Sequence, residues 1–486
     1  MSAKEFWFCL KFKEVMMSFY RKPKKGLLLA LSLAMIGVSS LSGFVGAETL
    51  VPDAGIWDLI RQAYIFSFPL MLMDATKAVS TNTVEPSNGK APVNQWMHAK
   101  NLAGAKFRQV VTPNVDTLYS QIFFDLSEEP LVLHKPAADR YLMYQIMDAW
   151  SDTVAVLGTG GDGQDEHTYL LTGPSFTGAV PENMVQVKIP TAIGWLLGRT
   201  ICYGPDDLEN IYAIQDQMEA KQLSLYQNGG ELPEGTYDAA NDGVPVRMVF
   251  AMEPQAYFNR FNQLLADNPV YPADEALLES FAPLGIGPGL TFDASVLGEN
   301  AAEQWKTMLD RLSDDLTESA GHFMVQNGSF RFWGDPISRF GTEYDYRCLV
   351  AIAGFGANPV DVAVYMRGIA DEQGNALTGG KSYVLHFEAG QLPPVKENGF
   401  WSVTAYGDDD FLIDNELDRY SISDRSEYTL NPDGSLDLIL QAETPAENQE
   451  NWLPVGKDGF HLFMRVYQPA DEVLDGSWKA PAIIEK

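Results

Sequence analysis

The spacing of hydrophobic residues changes along the chain, and this rules out any architecture built from one kind of element. In 53–79 apolar residues recur at mixed three- and four-residue intervals around Pro69, which predicts a helix, a kink and a second helix. From about 107 the period falls towards two, and 118–124, 141–147, 153–157 and 168–171 read as short strands between Pro, Gly and Asp turns. The stretch 208–225 then reads as a helix, opening after Pro205-Asp206-Asp207 with Asp as cap. Helices follow at 252–267, 274–282 and 299–321, the last placing Trp305, Met308, Leu309, Leu312 and Leu316 on one face. Breaks at 285–289 and at Asn327-Gly328 separate the helical stretches. Period two returns at 383–387, 400–406, 436–441 and 461–467, with turn signals at 431–434 and 457–459. The expected fold is mainly β with helical additions: two β-sandwich or jelly-roll-like modules, 48–227 and 341–486, with a mostly helical connecting region at 228–340.

Charge narrows the partners. The chain holds 34 Lys+Arg against 65 Asp+Glu, a formal net charge of -31. Nucleic acid and anionic lipid are polyanions that need a basic face, so neither is expected as a partner. Sugars, cations, cationic peptides and neutral small molecules stay open. With 46% hydrophobic residues the chain has the material for a buried core.

The N-terminus predicts export. Arg21, Lys22, Lys24 and Lys25 precede an apolar run at 27–38, and small residues end in Val45-Gly46-Ala47. That order is a secretory signal peptide over 1–47, cleaved after Ala47. The apolar run is too short for the ~20 residues that span a bilayer, so no membrane span is expected after processing. The product would be periplasmic or secreted. Export removes Cys9 and leaves Cys202 and Cys348, as one disulfide or two buried thiols. Export also argues against NAD, ATP and other cytosolic cofactors, and none is expected.

Several motifs fail on context. Gly158-x-Gly160-x-x-Gly163 has dinucleotide spacing, but 164–167 leads into a strand rather than a helix that would hold a pyrophosphate, so the segment reads as a glycine hairpin. No HExxH, CxxC, GxSxG or Walker loop occurs, and Ser175 lacks the spacing of a nucleophile elbow. His98, His134, His167, His322, His386 and His461 have no ligand-like spacing. The acidic runs at 408–410 and 162–166 lack the full spacing of a calcium loop and read as solvated turns. No metal is expected.

Polar residues cluster at Thr112-Pro-Asn-Val-Asp-Thr-Leu-Tyr-Ser120, ahead of a strand. Asn114 and Asp116 fit either Asx turns or the wall of a pocket at the strand mouth. This segment resembles the bacterial two-module proteins catalogued as domain of unknown function 1254, N-terminal, and domain of unknown function 1214, C-terminal. The resemblance extends through Gly194-Trp-Leu-Leu-Gly-Arg-Thr200 with 204–207, and through Tyr344-Asp-Tyr-Arg347 with 354–359. It continues through 400–406 with Asp414-Asn415 and 419–424, then 433–435, 451–454, 465–467 and 476–481. It covers about 55–486 and departs from the pattern mainly at 228–340. It implies jelly-roll modules lying side by side and assembling as homotrimers, and it implies no reaction.

Distinct function classes fit these residues, and whether the protein is an enzyme is left open. In the leading one an envelope protein binds or processes a saccharide-like ligand in a cleft between the modules. Trp401, Tyr406, Trp452 and Trp478 would offer flat faces, and Asn114, Asp116 and Asn415 would anchor hydroxyls. Thr117, Tyr119, Arg199, Arg347 and Arg419 complete this ligand set. As a hydrolase or lyase it would use Asp116 as base and Arg199 or Arg347 to hold an anion. As a structural oligomer without catalysis it would pair Arg199, Arg347 and Arg419 with Asp116, Asp345 or Asp414. Whether a cleft between the modules gathers Asn114, Asp116, Tyr119, Arg199 and Trp401 is the observation that bears most on these readings. For export, N-terminal sequencing of protein recovered from the periplasm is expected to start at Glu48; recovery of the intact 27–38 run in a membrane fraction overturns it.

Overall fold

The structure, a computed structural model, describes residues 53–108 and 110–486; the signal segment expected at 1–47 lies outside them. The N-terminal module is a sandwich of two sheets. Its larger sheet has the antiparallel order Met97–His98, Thr117–Asp125, Ile193–Ile201, Leu142–Asp148, Thr153–Gly158. Its smaller sheet runs Val185–Lys188, His167–Thr172, Leu131–Lys135, Glu219–Gln222. Ile122, Phe124, Leu133, Tyr144, Ile146, Tyr169 and Leu196 fill the space between them.

The C-terminal module repeats the plan. A six-stranded sheet runs Met324–Asn327, Phe330–Trp333, Ala363–Gly368, Phe460–Pro469, Val395–Gly407, Ser421–Ser423. A four-stranded sheet of Trp452–Pro454, Leu436–Gln441, Tyr383–Phe387 and Ile483–Glu485 covers its apolar face. Leu385, Leu438, Val403, Leu462 and Met464 lie in the core between these sheets. The two larger sheets turn their remaining faces to each other, where Tyr141, Met143 and Ile201 meet Phe400, Ala363 and Tyr467. Alternation along each strand does the sorting: successive side chains serve a module's own core and the seam between modules in turn.

Helices occupy the connecting region and the N-terminus. Asp53–Ser80 is one helix that continues through Pro69, not two. Its middle is buried on all sides, and Tyr64 stacks on Tyr257 with centroids 4.6 Å apart and meets Trp305 edge-on at 5.2 Å. Tertiary packing offsets the proline's lost hydrogen bond. Of the amphipathic helix Ala301–Ala320, Trp305, Leu312 and Leu316 are buried, as its pattern requires.

Other local expectations are corrected. The helix read over 208–225 divides into Leu208–Gln215 and Leu223–Asn228, because Glu219–Gln222 pairs with Leu131–Lys135. The connecting region also supplies two strands, Met324–Asn327 and Phe330–Trp333, to the C-terminal sheet. The glycine loop at 158–163 joins strands of two different sheets and is not a hairpin, and a strand rather than a helix follows it.

A buried ion cluster ties Tyr344–Gly354, the helix between Phe330–Trp333 and Ala363–Gly368 of the C-terminal sheet, to the N-terminal module. Arg347 is 0% exposed, with its guanidinium 3.6 Å from Asp152 and 3.9 Å from Asp274. It also lies over the rings of Phe66, Trp150 and Tyr344. The Tyr344 hydroxyl donates to Asp274 (2.7 Å), and Tyr271 donates to Asp148. Arg347 therefore belongs to this cluster, not to the ligand set in which the sequence placed it. Burial, then the neighbouring Asp152, pushes Asp148 up to about 7, and burial raises Asp152 as well. A carboxyl raised in the folded state adds stability that is complete below its unfolded value, ~4, and lost as pH rises through the folded one. Thermal melts between pH 4.5 and 8 are expected to show Tm falling with pH, and Asp148→Asn to make the fall shallower; an unchanged slope in that variant contradicts the assignment.

Candidate functional site

The sequence cluster at 112–119 becomes the loop that fastens one module to the other. Thr112, at φ 46°, donates its N–H to the Asp410 carbonyl (2.7 Å), and its own carbonyl accepts from Arg465 (3.0 Å). The Pro113 carbonyl accepts from the Tyr406 hydroxyl (2.7 Å). Asn114 makes the Asx turn its sequence suggests, its Oδ1 accepting from the N–H groups of Asp116 (2.6 Å) and Thr117 (3.3 Å). Its Nδ2 reaches the hydroxyls of Tyr467 (2.8 Å), Thr117 (3.0 Å) and Tyr119 (3.3 Å). One asparagine thus forms both the local turn and a bond between modules.

Asp116 is 1% exposed and fully engaged. Ser402 Oγ donates to its Oδ2 (2.6 Å) and Arg425 Nη2 to its Oδ1 (2.6 Å). The arginine that bridges it is Arg425, not Arg199, Arg347 or Arg419. Arg425 also lies over the Phe400 ring at 4.7 Å. Nothing in the sequence spacing pairs Arg425 with Asp116, although it directly follows the 419–424 motif.

Arg199 sits on the seam face of Ile193–Ile201, opposite Tyr119 in the strand register, and is 3% exposed. Its Nη1 donates to Gln145 Oε1 (3.0 Å) and Asn358 Oδ1 (3.0 Å), and its Nη2 to the Gly356 carbonyl (3.2 Å). Gly356 has φ +84°, and a Cβ there would lie 2.7 Å from the Trp195 ring, so this close approach requires glycine. Asn358 Nδ2 donates in turn to the Tyr365 hydroxyl (2.6 Å). Among the described residues no carboxylate lies within ion-pair distance of Arg199, and its Nε has no partner.

Arg465, 4% exposed, resembles it. It donates to Thr404 Oγ1 (3.1 Å), the Tyr406 hydroxyl (2.7 Å) and the Thr112 carbonyl, again with no carboxylate in ion-pair distance among the described residues. Around these two cations Tyr119, Gln121, Trp195, Phe355, Tyr365 and Phe463 keep partial exposure while Tyr141 and Tyr467 are buried. The seam is therefore an aromatic, amide-lined layer with guanidinium groups in its floor.

The other expected site residues lie elsewhere. Trp401 alternates away from the seam with Val403 and Ala405 and packs in the C-terminal core, 5.9 Å from Phe387. Tyr406 reaches the seam, but its hydroxyl is held by Pro113 and Arg465. Asn415 makes four bonds within its own loop, to Ile413, Leu417 and Arg419. Arg419 clamps the carbonyls of Gln449 (2.6 Å) and Trp452 (3.0 Å), and buried Trp452 donates to Gln441 (2.9 Å). These three hold C-terminal loops. His461 is buried against Tyr406, and burial, then Arg367 and Arg465, lowers its pKa well below the usual value. Cys202 and Cys348 are buried free thiols. Among the described residues no group of three or more His, Cys, Asp or Glu is placed to hold a metal ion, and no helix is long and apolar enough to cross a membrane.

Two sandwiches meeting through a hydrogen-bonded seam define a two-module β protein. Residues 93–222 match the family described as "Protein of unknown function (DUF1254)" and residues 362–471 the one described as "Protein of unknown function (DUF1214)". The chain thus carries both modules, in that order. It is similar to the crystal structure of the VPA0106 protein from Vibrio parahaemolyticus, at 24% identity and TM-score 0.66, over 88% of this chain and 99% of that one. That likeness shows the fold. A putative uncharacterized protein from Burkholderia cenocepacia aligns at 12% identity and TM-score 0.39, over 90% of this chain and 91% of that one. No curated protein matches.

Asp116→Asn removes the charge opposite Arg425 while keeping shape. Because Arg425 retains 17% side-chain exposure, the expected loss is roughly 2–3 kcal/mol, below the range for fully buried pairs. Urea unfolding reads it directly, and a change under about 0.5 kcal/mol, typical of a surface substitution, contradicts the bridge.

Proposed function

We propose that this is an exported cell-envelope protein that binds a small saccharide-like ligand in the seam between its two modules. The observation that carries the reading is the lining itself. Tyr119, Trp195, Tyr365 and Phe463 present partly exposed aromatic surface beside the polar ends of Asn114, Gln121, Asn358 and Arg199. Rings pack against sugar C–H faces, and convergent amide and guanidinium groups bond hydroxyls. Binding is favoured over base catalysis because both oxygens of Asp116 are committed to Ser402 and Arg425. Export rests on the N-terminal signal pattern, and assembly as a trimer on the family resemblance.

One observation favours a second reading, a scaffold without a ligand: the Asp116–Arg425 bridge joins the modules whether or not anything binds. Thermal shift against a library of mono- and oligosaccharides separates the two. Under the binding reading some members raise Tm by about 2 °C or more at saturating concentration, and Phe463→Ala abolishes the shift. A flat response across the library, with the protein folded, decides for the scaffold.

A further inference from the structure

We infer that the seam ligand carries a carboxylate, so that the site takes a sugar acid or a similar hydroxylated acid in preference to a neutral sugar. This rests on the binding reading above and assigns the chemical class of its ligand.

The first ground is charge. Arg199 and Arg465 are 3% and 4% exposed, and every hydrogen-bond acceptor that holds them is neutral: Gln145, Asn358 and the Gly356 carbonyl for one, Thr404, Tyr406 and the Thr112 carbonyl for the other. The acid of this network, Asp116, is already bound to Arg425 and Ser402. Arg465 feels only the charge of Asp116, which Arg425 already pairs, and no carboxylate bonds Arg199; a buried cation so placed is costly, and an anion entering the seam lowers that cost.

The second ground is the hydrogen-bond count, which is independent of charge. Tyr119 and Tyr467 accept from Asn114, and Tyr365 accepts from Asn358. Among the described residues none of the three hydroxyls donates to an acceptor. The Tyr141 hydroxyl is buried with no partner at all, and so is Arg199 Nε. The seam therefore holds unspent donors: three phenols that only accept, one with no partner, and Arg199 Nε. Burial, then mutual crowding, raises the phenol of Tyr467, and burial raises that of Tyr365 against the pull of Arg199, so both stay protonated donors at neutral pH. An acceptor-rich group satisfies this arrangement, and a carboxylate offers two oxygens and four lone-pair sites with no donor of its own. A neutral sugar brings as many hydroxyl donors as it has hydroxyls.

These donors lie together. Tyr141 meets Tyr467 edge-on at 5.7 Å, Tyr365 meets Tyr467 at 6.0 Å, and Arg199 lies over Tyr119 at 5.5 Å.

The test compares matched pairs by titration calorimetry: D-galacturonate against D-galactose, and D-glucuronate against D-glucose. At least one acid is expected to bind about tenfold or more tightly than its neutral partner, a difference of ~1.4 kcal/mol. Arg199→Gln is expected to remove that preference. Tyr141→Phe deletes only an unpartnered hydroxyl, so it keeps or raises the wild-type melting temperature and weakens the acid several-fold, which covers the case in which the arginine variant fails to fold. Acid and neutral sugars binding alike overturns the carboxylate inference and leaves the saccharide reading in place. No binding by any of the four, with folded protein, overturns both.

Discussion

A sheet covered on both faces leaves its polar side chains little access to water, so most of them must find partners within the seam. Both large sheets here are in that position. One face of each is apolar and packs within its own module, and the other carries Thr117, Tyr119, Gln145 and Arg199 or Tyr365, Ser402, Thr404, Arg465 and Tyr467. The bonds of Asn114 to Tyr467, of Asp116 to Ser402 and Arg425, and of Arg199 to Asn358 follow from that requirement. They also set the placement of the modules, since a two-residue slip of either sheet separates every pair at once.

The alternating strands were legible because period two with one mainly apolar face leaves little freedom, as at Thr117–Asp125 and Phe460–Pro469. The Asn114 turn was legible for a local reason, that Asn bonds its own backbone two and three residues on. Glu219–Gln222 was not, because its helical neighbours set the local pattern and only Leu131–Lys135 makes it a strand. For the site, residue type was informative and facing was not. Trp401 looked like a platform, yet its parity in Val395–Gly407 sends it inward while Ser402 and Phe400 face the seam. The partners of Arg199 lie 54 and 159 residues away at Gln145 and Asn358, distances at which spacing says nothing. Arg465 and Tyr365 were recoverable in principle, by applying the same parity to their strands from Phe400 outward.

The seam reverses the protein's outward character. A chain of net charge -31 concentrates in one buried layer two arginines without carboxylate partners and a set of phenols without acceptors. Structural pairing accounts for Asp116 and Arg425, and for Arg347 with Asp152 and Asp274. It does not account for Arg199, for the Tyr141 hydroxyl or for the partly exposed rings around them. Those are the features on which the proposed binding reading rests.

Soaking crystals in bromide and locating the ion by anomalous scattering tests whether this layer receives an anion. An ordered bromide is expected in the seam, in contact with Arg199 Nε or the Tyr141 hydroxyl and displaced when D-galacturonate is added. Bromide bound at surface lysines and arginines with the seam left empty would contradict it.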